Sequence, residues 1–244
     1  MEKLALSCYG VEICIIDDAS AGLCQRLRHA LPPEFTTPSD PRSAVVSYVV
    51  TADAFPEAAK QPDYRITCDG KEVFAAVTEE DIFRWLCQDI DNTVARRSEQ
   101  MLFMHAGVVA WRGMAIVFPG RSYTGKSTLV AELVLRGAMY YSDEFAVLDD
   151  TGKVHPYRRT PVLRDERRQP QDLRLMREDD RTDPLPIGLI VAGPYRSGTT
   201  WRPTIVCGAQ AVLPLIDNTV LARQESARML RIADRKSTRL NSSH

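Results

Sequence analysis

The chain lacks the long hydrophobic run that a membrane-spanning helix needs. Its longest apolar stretches, such as Met114 to Phe118, have the length of a strand, whereas a helix that crosses a bilayer needs roughly 18 apolar residues. The N-terminus also lacks the continuous apolar segment of a signal peptide, and acidic residues follow at Asp17 and Asp18. We therefore expect a cytoplasmic protein without a membrane partner.

The sequence also lacks a surplus of positive charge. Its 31 Lys and Arg residues are balanced by 32 Asp and Glu residues, whereas proteins that cover nucleic-acid phosphates depend on an excess of basic side chains. We therefore expect no nucleic-acid partner. A CxxC pair and metal-ligand spacing are absent as well, so we interpret the cysteines as small apolar core residues: Cys8, Cys14, Cys24, Cys68, Cys87 and Cys207.

What the sequence does contain is enough apolar material for folded domains. With 44% apolar and 26% charged residues among 244, the chain is neither disordered nor of low complexity. Residues 1–100 predict a small α+β module without a catalytic constellation, with a hairpin turn at Asp69-Gly70. The predicted strands are Val11–Ile16, Ala44–Val50, Tyr64–Thr67 and Lys71–Val77, and the predicted helices are Ala21–Leu31 and one that is capped by Thr78 and reaches Val94.

From residue 101 onward, strands alternate with helices around a glycine-rich loop. The helix after the loop ends at Arg136, and Gly137 occupies the place of a left-handed residue that closes a helix. This alternation predicts a nucleotide-binding α/β domain over residues 101–233. Its predicted strands are Leu102–Ala110, Met114–Phe118 and Ala138–Tyr141, followed by a hairpin from Phe145 to Tyr157 around Asp150-Thr151-Gly152.

The glycine-rich loop fits G-x-x-x-x-G-K-[ST], the pattern of a phosphate-binding P-loop. Gly120 and Gly125 permit backbone angles that turn N–H groups toward a phosphate. Lys126 reaches the β- and γ-phosphates, and the Ser127 hydroxyl binds Mg²⁺. The motif therefore predicts ATP and Mg²⁺ as ligands, with nucleotide contacts from Gly120, Arg121, Ser122, Tyr123, Thr124, Gly125, Lys126, Ser127 and Thr128.

Two carboxylates follow the next apolar strand after the P-loop. A P-loop needs a carboxylate on a neighbouring strand that holds the metal directly or through water, and Asp143 and Glu144 stand in that place. We therefore predict that Ser127, Asp143 and Glu144 bind the metal. An Asp-Glu pair at the start of a hairpin is also common as solvated turn chemistry, and this alternative stays open for Glu144.

Several motifs together resemble the catalytic domain of HPr serine kinase/phosphorylase and, more closely, its kinase-like relatives. The segments 125–129 and 143–144 are also similar to phosphoenolpyruvate carboxykinase, and the resemblance spans roughly residues 100–215. The motifs that carry it are His105–Val109, the P-loop, Arg136-Gly137, Ser142–Glu144, His155–Tyr157 and Leu163-Arg164.

The resemblance implies a phosphoenolpyruvate carboxykinase-like core, a mixed sheet with flanking helices, that transfers phosphate from ATP to a hydroxyl of a protein, peptide or small molecule. It places His105 near the transferred phosphate, and it makes Asp143 and Glu144 the source of metal binding and of the base. Assembly into a homo-oligomer is a further implication. Because this chain has Ser127-Thr128 where HPr kinases usually have Ser-Glu, we do not expect HPr itself as the acceptor.

Alternatives remain for single residues and for the function. His105 alone would also suit a structural place in a strand. Arg158, Arg159 and Arg164 could contact the acceptor or the γ-phosphate, although interleaved acidic residues favour a solvated surface. A nucleotide-binding regulatory module without turnover is the second function. A GTPase is disfavoured, because Asp149–Gly152 fits a hairpin turn and the chain has no Asn-Lys-x-Asp element.

The last eleven residues, Asp234–His244, form a segment of different character. They show no apolar periodicity, and they match the in-frame translation of a common sequencing adapter. We therefore expect residues 234–244 to be foreign to the protein, whose own sequence would differ after about Ala233. A genuine basic, flexible tail is the alternative.

Overall fold

The structure is a computed structural model, and it divides the chain into two compact units. They comprise Met1–Ser98 and Glu99–His244. The residues that the structure describes are 1–19, 22–40, 44–52, 64–120, 124–159, 162–164, 170–172, 183–193, 198, 200, 202–207 and 209–241, and the side chains of 162–164, 170–172, 209 and 235–241 are not described.

In its described residues, the first unit is a five-stranded sheet with two helices. Its strands lie side by side in chain order, and the pairing is antiparallel except between the second and third strands. The first helix lies between these two parallel strands in the chain. The elements are β1 (Glu2–Cys8), β2 (Val11–Asp17), α1 (Leu23–Ala30), β3 (Val46–Ala52), β4 (Tyr64–Cys68), β5 (Lys71–Ala76) and α2 (Glu79–Arg97).

Local chemistry explains where these elements begin and end. Asp69 and Gly70 have φ angles of 50° and 79°, as a tight hairpin turn between β4 and β5 requires. Thr78 caps α2, since its hydroxyl oxygen accepts the Asp81 N–H. The side chain of Asp17, which is buried, accepts the Leu23 N–H at 3.0 Å at the start of α1.

The second unit surrounds a long central strand, β6 (Leu102–Trp111). It contains seven further strands and three helices among the described residues. These are β7 (Met114–Pro119), α3 (Lys126–Leu135), β8 (Met139–Ser142), β9 (Phe145–Leu148), β10 (Lys153–His155), β11 (Val162–Arg164), β12 (Pro170–Asp172), β13 (Leu185–Ile190), α4 (Ala209–Asn218) and α5 (Ala222–Asn241).

Strand pairing in the second unit closes on itself. Five strands form a ring in the order β6, β7, β13, β10, β9 and back to β6, and only the β7–β13 pair is parallel. One edge of β6 pairs first with β9 and then with β8, while its opposite edge pairs with β7. The length of β6 therefore brings β7, β8 and β9 together around one strand.

Both faces of β6 are buried. On one face Met104, Ala106 and Val108 share a core with Leu215 of α4 and Met229 of α5. On the other face, Val109 packs with Val130 and Val134 of α3. This explains the nearly continuous apolar sequence of β6, since a strand that is covered on both faces has no polar side to alternate with.

The fold confirms the mixed α/β class, while a phosphoenolpyruvate carboxykinase-like core stays a prediction. β1 and β13 were not predicted as strands. For β13 the reason is that it contains Pro186 and Gly188, two residues that disfavour strands. The backbone of residues 234–241 continues α5, which differs from a flexible tail.

Among the described residues, no helix combines the length and the apolar character needed to cross a bilayer.

Candidate functional site

The site lies where β6 passes between the end of β7 and the start of β9. The Gly120 N–H donates to the His105 carbonyl at 3.0 Å, and on the other edge of β6 the Ala106 N–H donates to the Glu144 carbonyl at 3.1 Å. Two neighbouring residues of one strand thus hold the first residue of the P-loop and the acidic pair. Two segments that lie 24 residues apart in the printed sequence meet at this point.

The two glycines of the P-loop meet different requirements. Gly125 has a φ of 85° and stands directly before α3, which begins at Lys126. Gly120 does not have a left-handed φ; instead, a Cβ built there would lie 2.7 Å from the Thr124 hydroxyl oxygen. Gly120 is therefore needed for space, whereas Gly125 also supplies the left-handed backbone angle.

The strand–loop–helix context of the motif is confirmed. β7 ends at Pro119, and α3 starts at Lys126, so the N-terminal end of a helix dipole lies at the loop. Ser127 is half-buried and Thr128 is exposed. The remaining predicted nucleotide contacts, Arg121, Ser122 and Tyr123, lie outside the described residues.

A glycine of β6 lets α3 approach the sheet closely. A Cβ on Gly107 would lie 2.7 Å from Val130 Cγ2 and 3.5 Å from Lys126 Cβ. Lys126 is half-buried, and burial lowers the pKa of its ammonium group, which the carboxylates of Glu144 and Asp143 counteract. Gly107 lies within the motif His105–Val109 and had no predicted role, although a glycine inside a strand is a known sign of close approach.

The acidic pair is held in a tight turn between β8 and β9. The buried Ser142 hydroxyl accepts the N–H of Glu144 at 3.2 Å and of Phe145 at 3.0 Å. Such a side-chain bond to the following backbone fixes a turn locally. The turn directs Asp143 and Glu144 into different surroundings, which separates their chemistry.

Asp143 is the buried member of the pair. It is 9% exposed, and it accepts a hydrogen bond from the Tyr140 hydroxyl at 2.9 Å. Burial raises the pKa of the Asp143 carboxyl, and the hydrogen bonds from Tyr140 and Ser127 only partly offset this effect. A carboxyl whose pKa lies above its ordinary value, next to a P-loop, has the properties of an acid–base group.

Glu144 is the more accessible member, and it faces His105. Its Oε1 lies 3.6 Å from His105 Nδ1, and both side chains are about one-third exposed. Burial alone would raise the pKa of Glu144, but the close contact with His105 and the charges of His105, Lys126 and Arg159 outweigh it, so the pKa is lowered. Glu144 is therefore ionised at neutral pH.

The donor set suits Mg²⁺ better than a metal that takes only protein ligands. No group of three His, Cys, Asp or Glu side chains with metal-binding geometry occurs in the part of the chain that the structure describes. The bond between the Ser127 hydroxyl and Asp143 brings one hydroxyl and one carboxylate together. Mg²⁺ is typically held by one or two such oxygens, with water and phosphate oxygens completing its shell.

Two further residues act on the acidic pair. Tyr140 was not singled out, although a tyrosine in an apolar strand needs a partner for its hydroxyl. Arg159 is half-buried, and its charge acts on both Asp143 and Glu144, which favours the alternative that this arginine belongs to the site. The side chain of Arg164 lies outside the described residues.

No family model, curated protein or solved structure matches this chain. The resemblance to HPr kinases therefore stays a prediction from the motifs.

Proposed function

We propose that this protein is an ATP-dependent phosphotransferase that moves the γ-phosphate to a hydroxyl of a protein, a peptide or a small molecule. The observation that carries the proposal is the position of Asp143. Its buried carboxyl has a raised pKa and bonds to Ser127, the residue after the P-loop lysine. A P-loop supplies phosphate binding, and a carboxyl at this place adds proton transfer.

The residues divide the work of binding. The N–H groups at the start of α3 and the ammonium of Lys126 would hold the β- and γ-phosphates. Ser127 and Asp143 would hold Mg²⁺, with Glu144 as a further carboxylate at the same place. Bound there, Mg²⁺ would neutralise charge on the phosphate oxygens during transfer.

In the transfer step, the acceptor oxygen forms a bond to the γ-phosphorus while the bond between that phosphorus and the oxygen of ADP breaks. Asp143 accepts the proton that the acceptor hydroxyl releases. Lys126 stabilises the charge that spreads over the transferred group. His105 lies beside Glu144 and would orient that carboxylate toward the phosphates.

The test compares Lys126→Ala with Asp143→Asn in the 244-residue chain. Binding of ATP with Mg²⁺ is measured by calorimetry, and transfer is measured as phosphate release to water and as labelling of synthetic serine peptides by γ-labelled ATP. We expect Lys126→Ala to weaken binding and transfer together. Asp143→Asn should lower the nucleotide affinity far less than it lowers transfer, which should fall about 10²- to 10⁴-fold, the usual range for a lost general base.

Two results would contradict the proposal. If Asp143→Asn leaves transfer unchanged, Asp143 is not the base, and Glu144 and His105 are tested next. If the parent protein binds ATP with Mg²⁺ but transfers phosphate neither to water nor to the peptides, a nucleotide-binding regulatory module is the better description.

A further inference from the structure

Adjacent tyrosines of β8 point to opposite faces of the strand. Tyr140 belongs to the core that contains Val130 and Val134 of α3, whereas Tyr141 belongs to the core inside the ring of strands. Both side chains are fully buried. Each phenol therefore needs a hydrogen-bond partner inside the protein, since an unsatisfied buried hydroxyl is costly.

The partners of the two phenols differ in kind. The Tyr141 hydroxyl donates to the Asp183 carbonyl at 2.7 Å. The Tyr140 hydroxyl lies 2.9 Å from Asp143 Oδ1 and 2.7 Å from the Arg159 carbonyl oxygen. The Tyr141 hydroxyl thus holds the backbone at Asp183, while the Tyr140 hydroxyl lies between a backbone carbonyl and the carboxyl that the proposed function makes the base.

The segment that Tyr140 fastens carries a charge of the site. The Tyr157 N–H donates to the Tyr141 carbonyl of β8 at 3.0 Å, and the Arg159 N–H donates to the Tyr157 carbonyl at 3.2 Å, so residues 157–159 form a tight turn that is bonded to β8. The charge of Arg159 acts on Asp143 and Glu144. Without the Tyr140 hydroxyl, the backbone at Arg159 loses the side-chain bond that links it to the acidic pair.

We propose that Tyr140 is a positioning residue of the phosphotransfer site, which orients the Asp143 carboxyl toward Ser127 and keeps Arg159 beside the acidic pair. This inference rests on the proposed function and adds a residue that acts through Asp143. The hydroxyl is the part that matters, because its single proton is shared between the Asp143 carboxyl and the Arg159 carbonyl. Phenylalanine fills the same apolar space but donates to neither oxygen.

The test compares Tyr140→Phe with the matched control Tyr141→Phe. Each variant removes one phenol hydroxyl from a fully buried residue of β8, so the losses in thermal stability should be similar. We expect Tyr140→Phe to lower kcat for phosphate release to water about 3- to 10-fold, the effect of one lost hydrogen bond. Tyr141→Phe should keep the parent kcat. Equal kcat in all three proteins, or equal losses in both variants, would overturn the positioning role.

A second measurement separates this inference from the proposed function. The affinity for the non-hydrolysable analogue AMP-PNP is measured with and without Mg²⁺, since Asp143 and Ser127 face the proposed metal position. Mg²⁺ should raise the affinity of the parent for AMP-PNP by a certain factor, which we call the Mg²⁺ gain. We expect this gain to be about 3- to 10-fold smaller in Tyr140→Phe and unchanged in Tyr141→Phe. If the parent transfers no phosphate, the proposed function fails, and the positioning role is judged on the Mg²⁺ gain alone. A full gain in Tyr140→Phe contradicts it.

Discussion

The two ends of β9 carry similar chemical groups in opposite environments. Asp143 and Glu144 directly precede β9, and His105 Nδ1 lies 3.6 Å from Glu144 Oε1. Directly after β9 stands Asp149, whose Oδ2 lies 3.0 Å from His155 Nε2. Each end of β9 therefore pairs a carboxylate with an imidazole from a neighbouring strand, β6 or β10, and a motif search by residue type alone would not tell the two pairs apart.

The partners of Asp149 belong to its own turn. Its Oδ1 accepts the Thr151 N–H at 2.8 Å, the Thr151 hydroxyl at 2.6 Å and the Lys153 N–H at 3.1 Å. Burial would raise the pKa of Asp149, but these bonds and the bond to His155 lower it to about 2. This carboxylate closes a hairpin, and its charge is stabilised in full.

The surroundings of Asp143 affect its pKa in the opposite direction. Its hydrogen bonds come from the hydroxyls of Tyr140 and Ser127, and burial raises its pKa. Backbone N–H groups stabilise a carboxylate strongly, while burial disfavours its charged form. A carboxylate whose hydrogen bonds come from its own turn stabilises the fold. A carboxylate that is buried beside a P-loop and has a raised pKa can instead take part in proton transfer.

The sharpest test of the comparison replaces each aspartate by asparagine. Asp143→Asn should lower phosphate transfer about 10²- to 10⁴-fold, and it should raise the free energy of unfolding at pH 7, because the folded protein no longer buries that charge. Asp149→Asn should leave transfer unchanged and lower the free energy of unfolding by on the order of 1 kcal/mol. Transfer assays and urea unfolding of both variants measure the two effects. Equal effects on transfer would end the distinction.

A larger side chain at position 107 should affect only the end of β9 that carries Asp143. Gly107→Ala places a methyl group 2.7 Å from Val130 Cγ2, and overpacking of this kind costs about 1–3 kcal/mol. Because Lys126 lies on the same helix as Val130, the affinity for AMP-PNP should fall as well. Urea unfolding and calorimetry measure both quantities.

The double variant Gly107→Ala, Val130→Ala serves as the control. It should recover affinity relative to Gly107→Ala, since the clash is removed. The NMR signals of the His105 ring should shift in Gly107→Ala, and those of His155 should stay in place. A shift of His155 alone would contradict the assignment of Gly107 to the site.

The stability of the protein at low pH should also distinguish Asp149 from Asp143. The pKa of Asp149 is about 2 in the folded protein against an ordinary value of 3.8, so its stabilisation is complete above about pH 4 and disappears as the pH falls toward 2. For a group that is partly exposed, the loss amounts to about 1–2 kcal/mol. Asp143 has the opposite sign, since its raised pKa makes the folded state bind a proton more readily.

Urea unfolding between pH 7 and pH 2 measures this loss. The parent and Asp143→Asn should both show it, and Asp149→Asn should not. An identical acid profile in the parent and Asp149→Asn would show that this carboxylate is not stabilised by its turn.

The smallest expected effect concerns a single hydroxyl of the structural end. Thr151→Val removes the hydroxyl that donates to Asp149 and keeps the branched shape. We expect a loss of about 0.5–1.5 kcal/mol in the free energy of unfolding without a change in transfer. Thermal unfolding and the transfer assay check both statements, and a loss of transfer would place the hairpin in the site.

Short-range chemistry was predictable from the sequence alone. The Asp69-Gly70 turn, the Thr78 cap and the helix end at Gly137 each involve partners within a few residues. The order of strand, P-loop and helix around Lys126 was predictable for the same reason. Such features depend on backbone angles and bonds that neighbouring residues make among themselves.

Tertiary structure alone decided which of these local pieces meet. β6 bonds to Gly120 on one edge and to Glu144 on the other, and no local pattern states which strands will be its neighbours. The same holds for Tyr140, whose phenol meets a carbonyl 19 residues away. Strand partners are selected by the burial of a common core, so the raised pKa of Asp143 is a product of the whole second unit, while the turn that contains Asp143 is a product of the adjacent sequence.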